Sequence, residues 1–361
     1  MKAGMTLTQM AAELERQQET KKDFVAPNSM VRMTANEAGK DVRISLGDKG
    51  DFAVTDYAHG QMASYTGIPK AYYDRLRSND PALLSANVNR WLHDQAEGTH
   101  LERRMIRTLD GKARAFLSDK YRQLDNFDLS EAVLPVLMQQ GSGLSIESCA
   151  LTDQRLYIKA VTTRLQASVV EVDDIVQAGI VISNSEIGAG SVKIEPLIYR
   201  LRCKNGMIAA DSSLRKYHVG RGHGGSDGDI SEFFRDSTRE ADDRAFFMKV
   251  QDTLRAAFNE TLFNRLVDNM RAAAGQPITG DPIKVVEVSA KRFDLNDKER
   301  GSVLRHLIEG KDYTRFGLLN AFTAAAQEDA LDYERATQFE RFGGEVLALN
   351  NTQWKEVAEA A

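Results

Sequence analysis

The residues with the clearest capacity for chemistry are cations set along one side of short β-hairpins. Asp110-Gly111 is a strong signal for a two-residue turn, so the chain from Met105 to Leu117 reads as a hairpin. In that register Leu109 faces Lys112, Thr108 faces Ala113, Arg107 faces Arg114, Ile106 faces Ala115 and Met105 faces Phe116. Side chains alternate across a strand. One face therefore carries Ile106, Thr108, Ala113, Ala115 and Leu117, and the other carries Met105, Arg107, Lys112, Arg114 and Phe116. Two guanidinium groups directly opposite each other repel unless a carboxylate or an external anion sits between them. The chemistry this predicts is phosphate recognition.

Two further runs repeat the pattern. Within a hairpin over Leu144 to Thr163, Arg155, Tyr157 and Lys159 alternate with Leu156, Ile158 and Ala160. Leu197, Tyr199, Leu201 and Cys203 alternate with Ile198, Arg200, Arg202 and Lys204 ahead of an Asn205-Gly206 turn. Same-face residues on a strand recur every ~6.6 Å, similar to the phosphate spacing of a moderately extended single strand. Phe116 and Tyr157 supply rings on which bases could stack while cations hold the backbone. An antiparallel sheet often carries Lys and Arg on a solvated face for no functional reason. Three hairpins with the same bias and almost no Asp or Glu on those strands weigh against that reading. Arg215, Lys216 and Arg221, at the glycine-rich stretch Gly220 to Gly228, extend the cationic surface.

The elements that must position these residues belong to an α+β fold. It has a central antiparallel sheet of hairpins, flanking helices and a long C-terminal helical part. Residues 1–40 are polar and read as a flexible N-terminal arm, 41–229 as the α+β core with its basic hairpins, and 230–361 as a mainly helical region. Val42 to Leu46 and Phe52 to Val54 read as strands around a Gly47-Asp-Lys-Gly50 turn. A helical period runs from Gly67 to Asp94, broken at Asn79-Asp-Pro81, with Tyr72, Tyr73, Leu76, Leu83, Val88, Trp91 and Leu92 on its apolar side. Further on come a helix over Asp128 to Gln140, strands over Ile180 to Asn184 and Met207 to Ala210, and one long helical pattern from Ile230 to Ala274. Ile283 to Val288 reads as a strand, and Asp312 to Ala325 and Leu331 to Arg341 as helices.

Composition bounds the partners. The 361 residues, 42% hydrophobic and 27% charged, are those of a globular chain with room for two or three packed units. A net charge of −5 makes no global case for nucleic acid, but its distribution does. From Arg103 to Arg122 there are seven Lys or Arg against two Asp, and from Arg200 to Arg221 six against one. Cys149 and Cys203 both fall in apolar-alternating runs and read as buried thiols of a reducing compartment, which predicts a cytoplasmic protein. No apolar stretch approaches the roughly 18 residues that span a bilayer, and no signal-peptide segment opens the chain, so no membrane partner is expected.

Other chemistries fit less well. Gly220-Arg-Gly-His-Gly-Gly225 has the letters of a dinucleotide fingerprint, but no βαβ unit surrounds it. His218, His223 and Cys203 lack metal-ligand spacing. The adjacent acids Asp173-Asp174 and Asp242-Asp243 diverge on a strand or helix and read as solvated patches. No cofactor, metal or catalytic residue is expected.

Arg114-Ala-Phe-Leu-Ser-Asp-Lys-Tyr-Arg-Gln-Leu-Asp125, Ser183-Asn-Ser-Glu-Ile-Gly188, Arg200-Leu-Arg-Cys-Lys-Asn-Gly-Met207 and Arg215-Lys-Tyr-His218 together resemble the phage and plasmid-like family catalogued as domain of unknown function 932. The similar region runs from about Tyr65 to Met270. The resemblance implies a mobile-element setting and carries no catalytic residues. In outline, such a setting with cationic hairpins is similar to the phage single-strand annealing proteins of the Red-beta, RecT and Erf type, which oligomerise and lay DNA along a basic groove; this is a fold-level analogy.

The expectation is a protein that binds and anneals single-stranded DNA in recombination, replication or repair, without catalysis and as a homo-oligomer, in a ring or filament. One alternative is an enzyme acting on a phosphorylated small molecule or nucleic acid, with the same arginines as clamps; a compact pocket around Arg107, Arg114 and an ionisable partner would favour it. The other is a phage protein that binds a host factor through an apolar patch.

Overall fold

The computed structural model describes residues 1–35, 41–121, 123–209 and 236–360. Within them α1 (Leu7–Thr20) leads to β1 (Lys22–Pro27), β2 (Arg32–Ala35), β3 (Val42–Ser45) and β4 (Asp51–Val54). Three helices follow, α2 (Asp56–Tyr65), α3 (Lys70–Asn79) and α4 (Pro81–Leu92), and then the hairpin β5 (Arg103–Leu109) and β6 (Lys112–Ser118). After α5 (Asn126–Met138) come β7 (Leu144–Leu151), β8 (Leu156–Ser168), β9 (Ile175–Asn184), β10 (Lys193–Arg200) and β11 (Asn205–Ile208). The C-terminal part is helical: α6 (Asp236–Ala257), α7 (Glu260–Ala274), α8 (Pro282–Arg292), α9 (Asp297–Gly310), α10 (Arg315–Ala325), α11 (Tyr333–Ala348) and α12 (Asn351–Ala358).

The α+β class and the helical C-terminal part agree with the sequence, but the expected single central sheet is two. A six-stranded sheet has the order β1-β5-β6-β4-β3-β2, and a five-stranded sheet the order β11-β10-β9-β8-β7. All pairings are antiparallel except that of β4 with β6. The first sheet packs against α2 to α4 around Ile44, Met62, Tyr73, Val88 and Ile106. The second is covered on both faces. Leu156, Ile158, Ile180 and Ile182 meet α1, α5 and α6, whereas Val176, Ile198 and Met207 meet the C-terminal helices through Phe316, Phe322 and Phe339.

Local chemistry explains most boundaries. Asp110 and Gly111 both take the left-handed backbone that a two-residue hairpin loop demands, with φ of 50° and 73°. Asp80 ends α3 and caps α4, accepting from the Leu83 amide, with Pro81 at the first helical position.

Several expectations are corrected. The supposed N-terminal arm is integral: β1 pairs with β5 along its length, and Met10 and Leu14 of α1 are buried. Ile283 to Val288 is helical, because Asp281 caps the chain through the Ile283 amide and Pro282 opens α8. The long helical pattern divides at Asn259, whose side chain accepts from the Leu262 amide and starts α7. Tyr72, Leu83 and Trp91, assigned to an apolar inner side, are exposed. The glycine-rich stretch Gly220 to Gly228, with Arg215, Lys216 and Arg221, lies outside the described residues.

Candidate functional site

The first hairpin does not keep the register its turn implies. Thr108 faces Ala113, but Arg107 faces Ala115, Ile106 faces Phe116 and Met105 faces Leu117. Arg114 is the additional residue of a β-bulge, so two residues oppose Arg107. Arg107 and Arg114 still need an anion between them, and the loop after β9 provides it. Arg114 Nη2 lies 2.5 Å from the Glu186 carboxylate, while Arg107 Nη1 donates to the Glu186 carbonyl oxygen at 2.8 Å.

Arg107 is fully buried and forks onto Asp23 through two bonds of 2.9 Å, with Asp125 at 2.6 Å. Burial alone would lower its pKa, but Asp23 and Asp125 outweigh that and hold it above the ordinary value. Burial would raise the pKa of Asp125; Arg107 and Lys21 pull it below the usual carboxylate range. Arg107 is therefore a structural cation, out of reach of a ligand, which corrects its assignment to an exposed face. Phe116 is also buried and lies against Tyr65 with ring centroids 5.5 Å apart.

The cationic side of the second hairpin is an interior surface. Lys159 and Glu340 of α11 are both 0% exposed and meet at 2.6 Å, with Thr337 3.1 Å from Lys159 Nζ. Burial pushes the Lys159 ammonium pKa down, and the Glu340 carboxylate offsets part of that. Tyr157 is buried and donates to Glu334 at 2.8 Å, its pKa raised by burial. Arg155 reaches the same Glu334 at 3.0 Å and donates to the Ala189 carbonyl. Tyr157 and Lys159 are thus unavailable to nucleic acid.

The third ladder is absent. Arg200 ends β10, Leu201 to Lys204 form the turn, Lys204 takes φ 52°, and Asn205-Gly206 begin β11. Arg200 is bound to Asp174 and lies over Phe316, 5.1 Å from the ring centroid. Arg202 is exposed and paired with exposed Glu171. Cys203, expected to point inward, is exposed, whereas Cys149 is buried as expected.

Three predicted residues do meet in space. Lys112, Arg114 and Arg155 line a cleft of about 490 Å³ between the two sheets, bordered by α1, the β5–β6 turn, the β7–β8 turn and the first residue of α5. Lys112 is exposed and makes no ion pair among the described residues. Arg114 is mostly buried, yet its Nε has no hydrogen-bond acceptor there. The Arg114–Glu186 and Arg155–Glu334 contacts are ion pairs by distance, but Arg114 Nη2 and Arg155 Nε are not aligned for hydrogen bonds. Both residues line the cleft, and each keeps a buried nitrogen that makes no hydrogen bond.

A fourth cation, Arg16 of α1, escaped sequence analysis because residues 1–40 read as an arm. It bridges Glu13 and Asp110, and with Thr20 draws the Asp110 pKa down to about 2. The acids Asp23, Asp125, Glu186 and Glu334 were also missed. Asp125 and Glu186 had a signal, since each sits inside one of the quoted runs. The structure joins those runs: Glu186 pairs with Arg114, Tyr121 donates to the Ser185 carbonyl, and Asn184 donates to the Leu124 carbonyl at 2.9 Å.

The family model described as "Domain of unknown function (DUF932)" matches residues 115–354, well over half of the chain. The protein belongs to this family. The match begins later than the expected Tyr65 and continues through most of the C-terminal helices, so the layer against the five-stranded sheet is part of the DUF932 unit. No curated protein matches the chain, and no solved structure does. Among the described residues no cluster of His, Cys, Asp and Glu has the geometry to hold a metal ion, and no helix is long and apolar enough to cross a membrane.

Proposed function

We propose that this DUF932 protein binds single-stranded DNA through its phosphates at the cleft between the two sheets. It would act without catalysis, as a homo-oligomer that anneals strands in the recombination, replication or repair of a phage or other mobile element. The observation that carries the reading is three cations lining one cleft: Arg114 and Arg155, each with a buried nitrogen that makes no hydrogen bond, and Lys112, which makes no ion pair among the described residues. Buried guanidinium donors without acceptors are costly, and a phosphate oxygen is a geometric match for them. The contact surface is smaller than three hairpin faces would have offered: Lys112, Arg114 and Arg155, joined by Arg16.

A second reading has its own support. The cleft has the volume of a small-ligand site, and Arg114 has an ionisable partner in Glu186, as a phosphorylated small molecule would need, although Arg107 does not line it. Mass photometry with and without a short oligothymidylate separates them, with nucleoside mono-, di- and triphosphates as competitors. Strand binding predicts particles of several chains that gain mass with the oligonucleotide. Particles unaltered by the oligonucleotide, with nucleotide binding seen by calorimetry, would favour the small ligand.

A further inference from the structure

The Glu186 carboxylate occupies the part of the cleft best furnished for an anion. It lies 2.5 Å from Arg114 Nη2 and accepts from the Asn126 amide at 2.7 Å. Asn126 opens α5, a helix of 13 residues whose N-terminal dipole favours negative charge. Glu186 is 4% exposed yet lines the cleft, and its Oε2 has no aligned hydrogen-bond donor. An entering phosphate seeks the same guanidinium and the same amide, and two anions sharing them repel.

We propose that Glu186 is a built-in competitor, a carboxylate that holds the phosphate position of the cleft until a phosphate-bearing ligand turns it aside; this rests on the cleft being the phosphate site. The displacement is a side-chain rotation. The backbone of Glu186 is pinned by Arg107, and neighbouring Asn184 is tied to Asn126 and Leu124, so the loop stays in place. Rotation frees Arg114 and the first turn of α5 together. Glu186 thereby selects against weakly charged ligands, since only a phosphate competes well with a carboxylate for a guanidinium.

The test is fluorescence anisotropy of a labelled oligothymidylate at low salt, using the wild-type chain, Glu186→Gln, and Glu186→Gln combined with Arg114→Gln. Glutamine keeps an acceptor for the Asn126 amide and removes the charge. The expected result is binding at least about tenfold tighter for Glu186→Gln, with the gain lost in the double variant. Wild-type binding with no gain in Glu186→Gln overturns the competitor and leaves strand binding standing. No binding by any of the proteins overturns both. Should Glu186→Gln melt well below the wild type, hydrogen exchange in the wild type decides: protection at Asn126 must change when oligonucleotide saturates the protein, and unchanged protection overturns the proposal.

Discussion

The Glu186 carboxylate lies 2.5 Å from Arg114 while its backbone carbonyl accepts from Arg107, so one loop residue answers both arginines of the bulged hairpin. Arg107 is thereby committed to the fold. Arg114, at the cleft wall, keeps donors to spare. The division follows from burial: Arg107 is fully buried between Asp23, Asp125 and the Glu186 carbonyl, whereas Arg114 lines the cleft.

Lys159 and Glu340 give the clearest stability prediction. Both are fully buried, and Lys159 Nζ also lies 4.6 Å from the centroid of Tyr333. Removing one partner leaves a charge uncompensated in the interior. Lys159→Met alone should cost about 3–5 kcal/mol in urea unfolding, and Lys159→Met with Glu340→Leu should recover most of it. A single variant as stable as the wild type would show that the pair is not closed.

The acid limb of stability should carry a signature of His59. This ring is buried in the core, with Nδ1 2.8 Å from Tyr73 Oη, and burial lowers its pKa from 6.5 to about 4. The unfolded chain takes up that proton first as pH falls. His59's contribution is therefore complete above pH 6.5 and lost between 6.5 and about 4, amounting to roughly 3 kcal/mol. Unfolding free energies measured from pH 7 to 5 should decline, and His59→Gln should flatten the decline. An equal slope in the variant would assign the proton elsewhere. Asp110, held near 2, belongs to a lower range.

Asn89 of α4 guards a sheet edge. Its side chain accepts from the Met33 amide and donates to the Met33 carbonyl, each at 2.8 Å, so it stands in for a missing strand beside β2. Asn89→Ala should cost about 1–3 kcal/mol in chemical denaturation and increase association on heating, because an unpaired edge is a template for another chain. Unchanged stability and light scattering would mean that water replaces the amide without loss.

Much of the fold was legible because its signals are local. Asp110-Gly111, Asp80-Pro81 and the alternation in β8 and β10 each specify their local geometry within a few residues. The site was less legible for a physical reason. Alternation shows that Arg155, Tyr157 and Lys159 share a face, but not that α11 covers it with Glu334, Thr337 and Glu340. Likewise Arg107 meets Asp23, which is 84 positions distant in the chain. Bulges are equally silent: the extra residue at Arg114 depends on how β6 must bend, not on its own letters. In the third hairpin, Asn205-Gly206 resembles a turn but forms strand, because the preceding Leu201 to Lys204 already reverse the chain.

The central claim is that Arg114 and Arg155 hold phosphate at the cleft, and the most direct measurement is oligothymidylate affinity across a salt series for the wild type and for Arg114→Gln with Arg155→Gln. Wild-type affinity should fall steadily with salt. The double variant, with melting temperature monitored alongside, should bind more weakly to every sequence tested and show a salt slope smaller by about one for each arginine removed. A folded double variant with wild-type affinity and slope would contradict the account, as would a wild-type chain that binds no oligonucleotide at low salt.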